Sequence, residues 1–171
     1  MMKLSMAIVL FAGLGASAQT PKLLHRFEGL PEIVNFNSTS VCNLRCIMCF
    51  QAYHPGKDTM PMEQARSVLD QLLPTAKKLM LTTAGEPIAG PFRELVDITR
   101  KYECKLDVTT NATGLTPARL QYMVGILDHL AISLDSHLED VLDHMRGKGV
   151  HARIMTNLRD VGEYLAGKTR S

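Results

Sequence analysis

The chain has 171 residues, 46% of them hydrophobic and 21% charged, which is enough for one domain with a real core and unlike collagen, disordered or disulfide-scaffold compositions. Its 19 basic and 17 acidic residues leave a formal charge of +2, so the balance argues for neither nucleic acid nor an anionic membrane as a partner, and no nucleic acid is expected. Of four cysteines, three fall between Cys42 and Cys49 and only Cys104 is distant, which is the usage of a metal site rather than of a disulfide framework.

Residues 1–20 read as a secretory signal-like segment, with a buried N-terminal helix or an upstream start codon as the alternative. Met1-Met2-Lys3 is a short positive start, Leu4 to Gly15 is almost wholly apolar, and Ala16-Ser17-Ala18 fits a small-x-small cleavage site. The run is short of the roughly 20 apolar residues that span a bilayer. It conflicts with the cysteines, because an oxidising exterior takes thiols to disulfides and no twin arginine marks export of a folded protein. A reducing, cytoplasmic location is the expectation for an active form. Residues 21–31 read as a linker and 32–171 as the domain.

From Glu32 onward short apolar runs alternate with longer amphipathic ones, the pattern of β-α units around a parallel sheet, and four such units can be counted. The first strand, Glu32 to Thr39, delivers the chain to Cys42. Pro61 suits a first helical position, and Ala65, Val68, Leu69, Leu72 and Leu73 form one apolar face that stops at Pro74. The second strand, Lys78 to Thr83, runs into Ala84-Gly85-Glu86-Pro87, and a helix starts near Pro91 with Phe92, Leu95 and Val96 inward. The third, Cys104 to Thr110, ends at Asn111, after which Thr116-Pro117 reads as an N-cap with proline behind it, before Leu120, Met123 and Val124.

The fourth strand is His129 to Leu134. Ser136 and Glu139 have capping-box spacing for a helix with Leu138, Val141, Leu142 and Met145 on one face, interrupted at Gly147 and Gly149. A last helical stretch carries Ile154, Leu158, Val161 and Leu165. Crossover-linked parallel strands place ligand-binding residues at their carboxyl ends, and the cysteine loop, Gly85-Glu86-Pro87, Asn111 and Ser133-Leu134-Asp135 all stand there.

A four-iron cluster normally takes four thiolates, whereas C-x3-C-x2-C offers three and leaves one iron open for a chelating small molecule. Zinc is the competing reading. It would need a fourth ligand such as His54 folding back, and an unligated cysteine cluster is the other alternative.

The segment Cys42-Asn43-Leu44-Arg45-Cys46-Ile47-Met48-Cys49 resembles the C-x3-C-x-Φ-C signature of radical S-adenosylmethionine (radical SAM) enzymes, and the chain from Glu32 follows that family in order. The resemblance implies an α/β fold, a partial parallel (β/α) barrel with about four β-α units of the usual six. It implies a [4Fe-4S] cluster on Cys42, Cys46 and Cys49, with S-adenosyl-L-methionine (SAM) on the open iron. An electron from an external donor then splits SAM to a 5′-deoxyadenosyl radical that takes hydrogen from a substrate. Met48 holds the usually aromatic position beside adenine, where it offers polarizable contact but no ring face.

Ala84-Gly85-Glu86-Pro87 matches the family's G-G-E-P motif with alanine first, and its backbone is expected to bind the SAM amino group, with Gly85 allowing close approach. Ser133 and Asp135 match positions that contact ribose or the methionyl carboxylate. Asn111 matches a polar position after the third strand, although an Asx turn explains it equally well. Arg45 reads as solvated, His137, His144 and His151 as surface or helix-flanking, and Cys104 as a small buried hydrophobe.

Two of the family's units, and any SPASM-type extension with further clusters, are not visible; Met145-Arg146-Gly147-Lys148-Gly149 is similar to those peptide-modifying relatives. Readings other than an enzyme are a non-catalytic iron-sulfur or SAM-binding remnant serving as an interaction module, and a zinc-binding domain. The substrate, a peptide or a small molecule, is not fixed by the sequence, and a partner chain completing the core is a further expectation.

Overall fold

The computed structural model describes residues 8–10, 31–81 and 84–168. Five strands, β1 (Ile8–Leu10), β2 (Ile33–Phe36), β3 (Lys78–Leu81), β4 (Lys105–Thr110) and β5 (Leu127–Ile132), form one sheet in chain order with every neighbouring pair parallel. The helices are α1 (Met62–Leu72), α2 (Phe92–Lys101), α3 (Pro117–Met123), α4 (Glu139–Arg146) and α5 (Val150–Lys168). Right-handed crossovers that always step to the next strand in the same direction keep the helices on one face, which is how a (β/α) barrel is wound rather than a doubly wound sheet.

The side chains follow. Val34, Phe36, Leu79, Leu81, Leu106 and Val108 alternate along β2 to β4 and are buried, together with Ala65 and Leu69 of α1 and Leu95 and Val96 of α2. The opposite face of the sheet carries an ion-pair group: the Lys78 ammonium lies 3.1 Å from the Asp107 carboxylate and 2.7 Å from that of Asp128. Asp128 stands where the register slips, since Leu106 pairs with Leu127 but Asp107 pairs with His129.

The four expected strands are present. β5 begins and ends two residues earlier than expected, at Leu127 and Ile132, because Gly125 at φ 92° turns the chain out of α3 directly into pairing with β4. The end of the second expected strand, Thr82 and Thr83, lies outside the described residues, as does the N-terminal segment apart from Ile8–Leu10, which pairs with Val34 to Phe36 of β2.

Thr116 caps α3 as expected, its hydroxyl accepting from the Arg119 amide at 3.3 Å. Ser136 does not cap α4. Its hydroxyl accepts from the Leu138 amide at 3.1 Å, so the local turn uses up the side chain and the helix opens only at Glu139. With that start, Leu142 is fully buried while Leu138 and Val141 are exposed, so the expected apolar face is carried by one residue. Gly147 at φ 121° and Gly149 at φ 79° break the chain between α4 and α5, as the sequence indicates.

Candidate functional site

At the carboxyl end of the strands lies a cavity of about 460 Å³ lined by Cys42, Cys46 and Cys49, by Ala84, Gly85 and Glu86 after β3, by Thr109, Thr110 and Asn111 ending β4, and by Ser133, Asp135 and Arg146 beyond β5. Met48, Leu44, Phe50 and Gln51 complete the wall. Every residue expected at the site from the sequence lines this cavity except Pro87, which is buried below the rim as the first residue of a short 3-10 turn, Pro87–Ala89.

The cysteine loop is held by its own backbone. The Leu44 amide points at Cys42 Sγ at 3.4 Å, the Cys49 amide donates to the Cys46 carbonyl at 2.9 Å, and the Ile47 amide donates to the Met145 carbonyl at 2.9 Å, tying the loop to the end of α4. Arg45 wraps the outside, its Nη1 donating to the carbonyls of Cys42 and Leu44, both at 2.7 Å, and stays exposed as expected. Burial pushes the Cys46 thiol up; the Arg146 charge opposes this, and the neighbouring Cys42 and Cys49 add to it. All three thiols line the one cavity.

Among the described residues no three His, Cys, Asp or Glu side chains converge on a point that would hold a single metal ion, and His54 is exposed and outside the cavity.

Gly85 is required by the chain itself. A Cβ there would lie 2.2 Å from the Val41 carbonyl oxygen, to which the Glu86 amide donates at 2.8 Å, so the segment after β3 is laid directly on the entrance to the cysteine loop. The Glu86 carboxylate turns inward and accepts from Thr110 Oγ1 at 2.6 Å, the Asn111 amide at 2.7 Å and the Ile88 amide at 3.3 Å. Burial raises its pKa, and those three donors and the more distant Arg119 oppose the rise.

Asn111 serves two purposes. Its Oδ1 accepts from the Thr113 amide and hydroxyl, an Asx turn, while its Nδ2 donates to Asn43 Oδ1 at 3.0 Å and Asn43 Nδ2 donates to Thr113 Oγ1 at 2.7 Å. The ring so formed joins the cysteine loop to the end of β4.

Two residues not selected from the sequence matter here. Arg146 pairs with Asp135 through Nε, and its Nη1 lies 3.9 Å from Cys46 Sγ. Burial lowers its pKa, but Asp135 and Cys46 more than offset that and hold it above the ordinary value. Its partner is 100 residues away in sequence, so the only cue was its place in Met145 to Gly149. Gln51 is buried and bonded to three other segments; it stands beside exposed Phe50 and half-buried Ala52, so no local pattern marks it and its role is visible only once burial is known.

The sequence model of the radical SAM superfamily matches residues 36–169. Mycofactocin maturase MftC of Mycolicibacterium smegmatis is 29% identical over 154 residues, covering 83% of this chain and 38% of that protein. The antilisterial bacteriocin subtilosin biosynthesis protein AlbA of Bacillus subtilis is 28% identical over 140 residues, 79% of this chain and 31% of that one. Among solved structures, Streptococcus suis SuiB bound to precursor peptide SuiA superposes with a TM-score of 0.64 at 17% identity, covering 79% of this chain and 31% of SuiB. The chain thus spans less than two fifths of the length of these relatives.

Proposed function

Because this chain belongs to the radical SAM superfamily, whose sequence model matches residues 36–169, we propose that Cys42, Cys46 and Cys49 hold a [4Fe-4S] cluster with one iron open to SAM, and that the site takes hydrogen from a peptide substrate. The observation that carries this reading is the meeting of all three thiols with the ends of β3, β4 and β5 on a single cavity. When bound, cluster and SAM supply an electron from an external donor and a sulfonium whose reductive cleavage gives a 5′-deoxyadenosyl radical and methionine; the protein supplies orientation and exclusion.

The residues divide that work. The Ala84 to Glu86 backbone, on the cavity wall, would meet the SAM amino group, and Met48, on the same wall, would lie along the adenine. Ser133 and Asp135 would face the ribose side, and Arg146, positively charged between Asp135 and Cys46, would pair with the methionyl carboxylate. Glu86 holds the rim rather than the ligand, since its carboxylate is spent on Thr110, Asn111 and Ile88. A peptide substrate is supported by the precursor peptide bound to SuiB and by the bacteriocin role in the name of AlbA. Reduced thiols call for a reducing compartment.

The test is anaerobic reconstitution with iron and sulfide, followed by iron, sulfide and zinc analysis and chromatography for 5′-deoxyadenosine after reduction with SAM. Roughly four irons per chain and reductant-dependent nucleoside are expected. A cluster without nucleoside would assign a non-catalytic iron-sulfur module, and zinc without sulfide would overturn the cluster.

A further inference from the structure

Gln51 lies two residues beyond Cys49, is 1% exposed, and makes three hydrogen bonds, all to backbone. Its Nε2 donates to the carbonyls of Ser40 and Ala84, both at 2.7 Å, and its Oε1 accepts from the Gly56 amide at 2.6 Å. Two carbonyls on one side and an N–H on the other fix which end of the amide is nitrogen. The partners are the entrance to the cysteine loop, the segment after β3 and the turn at Gly56, while Gln51 itself belongs to the loop's exit. No other side chain of this length presents two donors to one side and an acceptor to the other.

The junction is drawn tight by close approach. A Cβ at Gly56 would sit 2.2 Å from the Ser40 carbonyl oxygen and one at Gly85 2.2 Å from that of Val41, so Ser40-Val41 is clasped between two glycines with Gln51 beside it. The Ala84 carbonyl and the Gly85 N–H belong to one planar peptide. Holding the carbonyl therefore sets the direction of the N–H and of the whole strap from Ala84 to Glu86.

We propose that Gln51 is a positioning residue that fixes the Ala84-Gly85 peptide relative to Cys49, so that the α-amino group of SAM meets the strap in register with the iron side of the cavity. This rests on the radical SAM reading and names a determinant of SAM binding outside the cysteine and G-E-P motifs. Removing the amide leaves the thiols in place but frees the peptide, so cluster loading and SAM affinity separate.

The full chain carrying Gln51→Leu or Gln51→Glu is reconstituted anaerobically and assayed for iron and sulfide, then for SAM binding per cluster by equilibrium dialysis. Iron and sulfide equal to wild type with SAM affinity weakened about tenfold is expected, the loss of one to two net hydrogen bonds. Gln51→Glu keeps the size and the acceptor for Gly56 but cannot donate to both carbonyls, so it decides the matter if the leucine variant does not fold. SAM affinity per cluster within twofold of wild type, including the case where iron and SAM fall together, overturns the proposal. A wild-type chain that takes up no iron or binds no SAM overturns the radical SAM reading, and this proposal with it.

Discussion

Replacing Glu86 by alanine strips the acceptor from two short hydrogen bonds, Thr110 Oγ1 at 2.6 Å and the Asn111 amide at 2.7 Å, and from a longer one to the Ile88 amide at 3.3 Å. Thr110 and Asn111 are 1% and 6% exposed, so both donors lose their partner in a largely buried place. At about 1.5 kcal/mol for each of the two short bonds the loss is about 3 kcal/mol. For a chain of this size that is a fall in Tm of roughly 6–12 °C. Glu86→Gln keeps Oε1 for Thr110 and Ile88 and sets only its NH2 against the Asn111 N–H, so about 1–2 kcal/mol is expected.

The pH dependence has a sign. Burial holds the folded-state pKa of Glu86 above its unfolded value, so the stability it contributes is fully present below the unfolded pKa and declines as pH rises through the folded one. The gap between wild type and Glu86→Gln should therefore be widest near about pH 4 and narrow towards neutrality. Thermal melts of the three proteins by circular dichroism from acid to neutral pH measure both effects. Equal Tm values for wild type and Glu86→Ala, or a glutamine gap that does not change with pH, would refute the bridge between the β3 and β4 rims.

Other substitutions separate chemistry from scaffold. Cys42→Ser, Cys46→Ser and Cys49→Ser should each abolish stable iron uptake on reconstitution, whereas Cys104→Ala should retain it, because Cys104 is buried against the Leu73 and Ala76 carbonyls before β4, away from the rim. Gly147→Ala places a side chain at φ 121°, ψ 149°, a region only glycine occupies freely, and should cost about 1–3 kcal/mol in urea unfolding. Asp143 accepts from the amides of Gly149 and His151 and so holds α5 to α4; these amides lower its pKa, so Asp143→Asn should lose stability at neutral pH, with the gap to wild type closing as acid protonates the carboxylate. Leu79→Ala, at a fully buried position of β3, should cost about 2–5 kcal/mol.

Much of this was legible in the sequence because a β-α repeat writes itself in apolar periodicity, and because parallel strands put their carboxyl ends on one rim whatever lies between them. Cys42, Gly85-Glu86, Asn111 and Ser133-Asp135 could thus be assigned to one site from spacing and family likeness. What the sequence does not show depends on where a side chain turns. Glu86 carries a family motif yet spends its carboxylate on its own scaffold, and the glycine before it is required by Val41 as well as by any ligand. Ser136 stands three residues before Glu139, but its hydroxyl closes a turn one step too early to cap α4. Arg146 and Gln51 gain their roles from partners that no local pattern brings together, and only the folded rim shows them.

The proposed four-iron cluster on three cysteines, with one iron left for SAM, is tested by Mössbauer spectroscopy of the chain reconstituted with 57Fe. Adding SAM should change the subspectrum of one iron in four and leave the other three as they were. A spectrum that SAM does not alter, or one in which the iron never assembles beyond mononuclear sites, would contradict it.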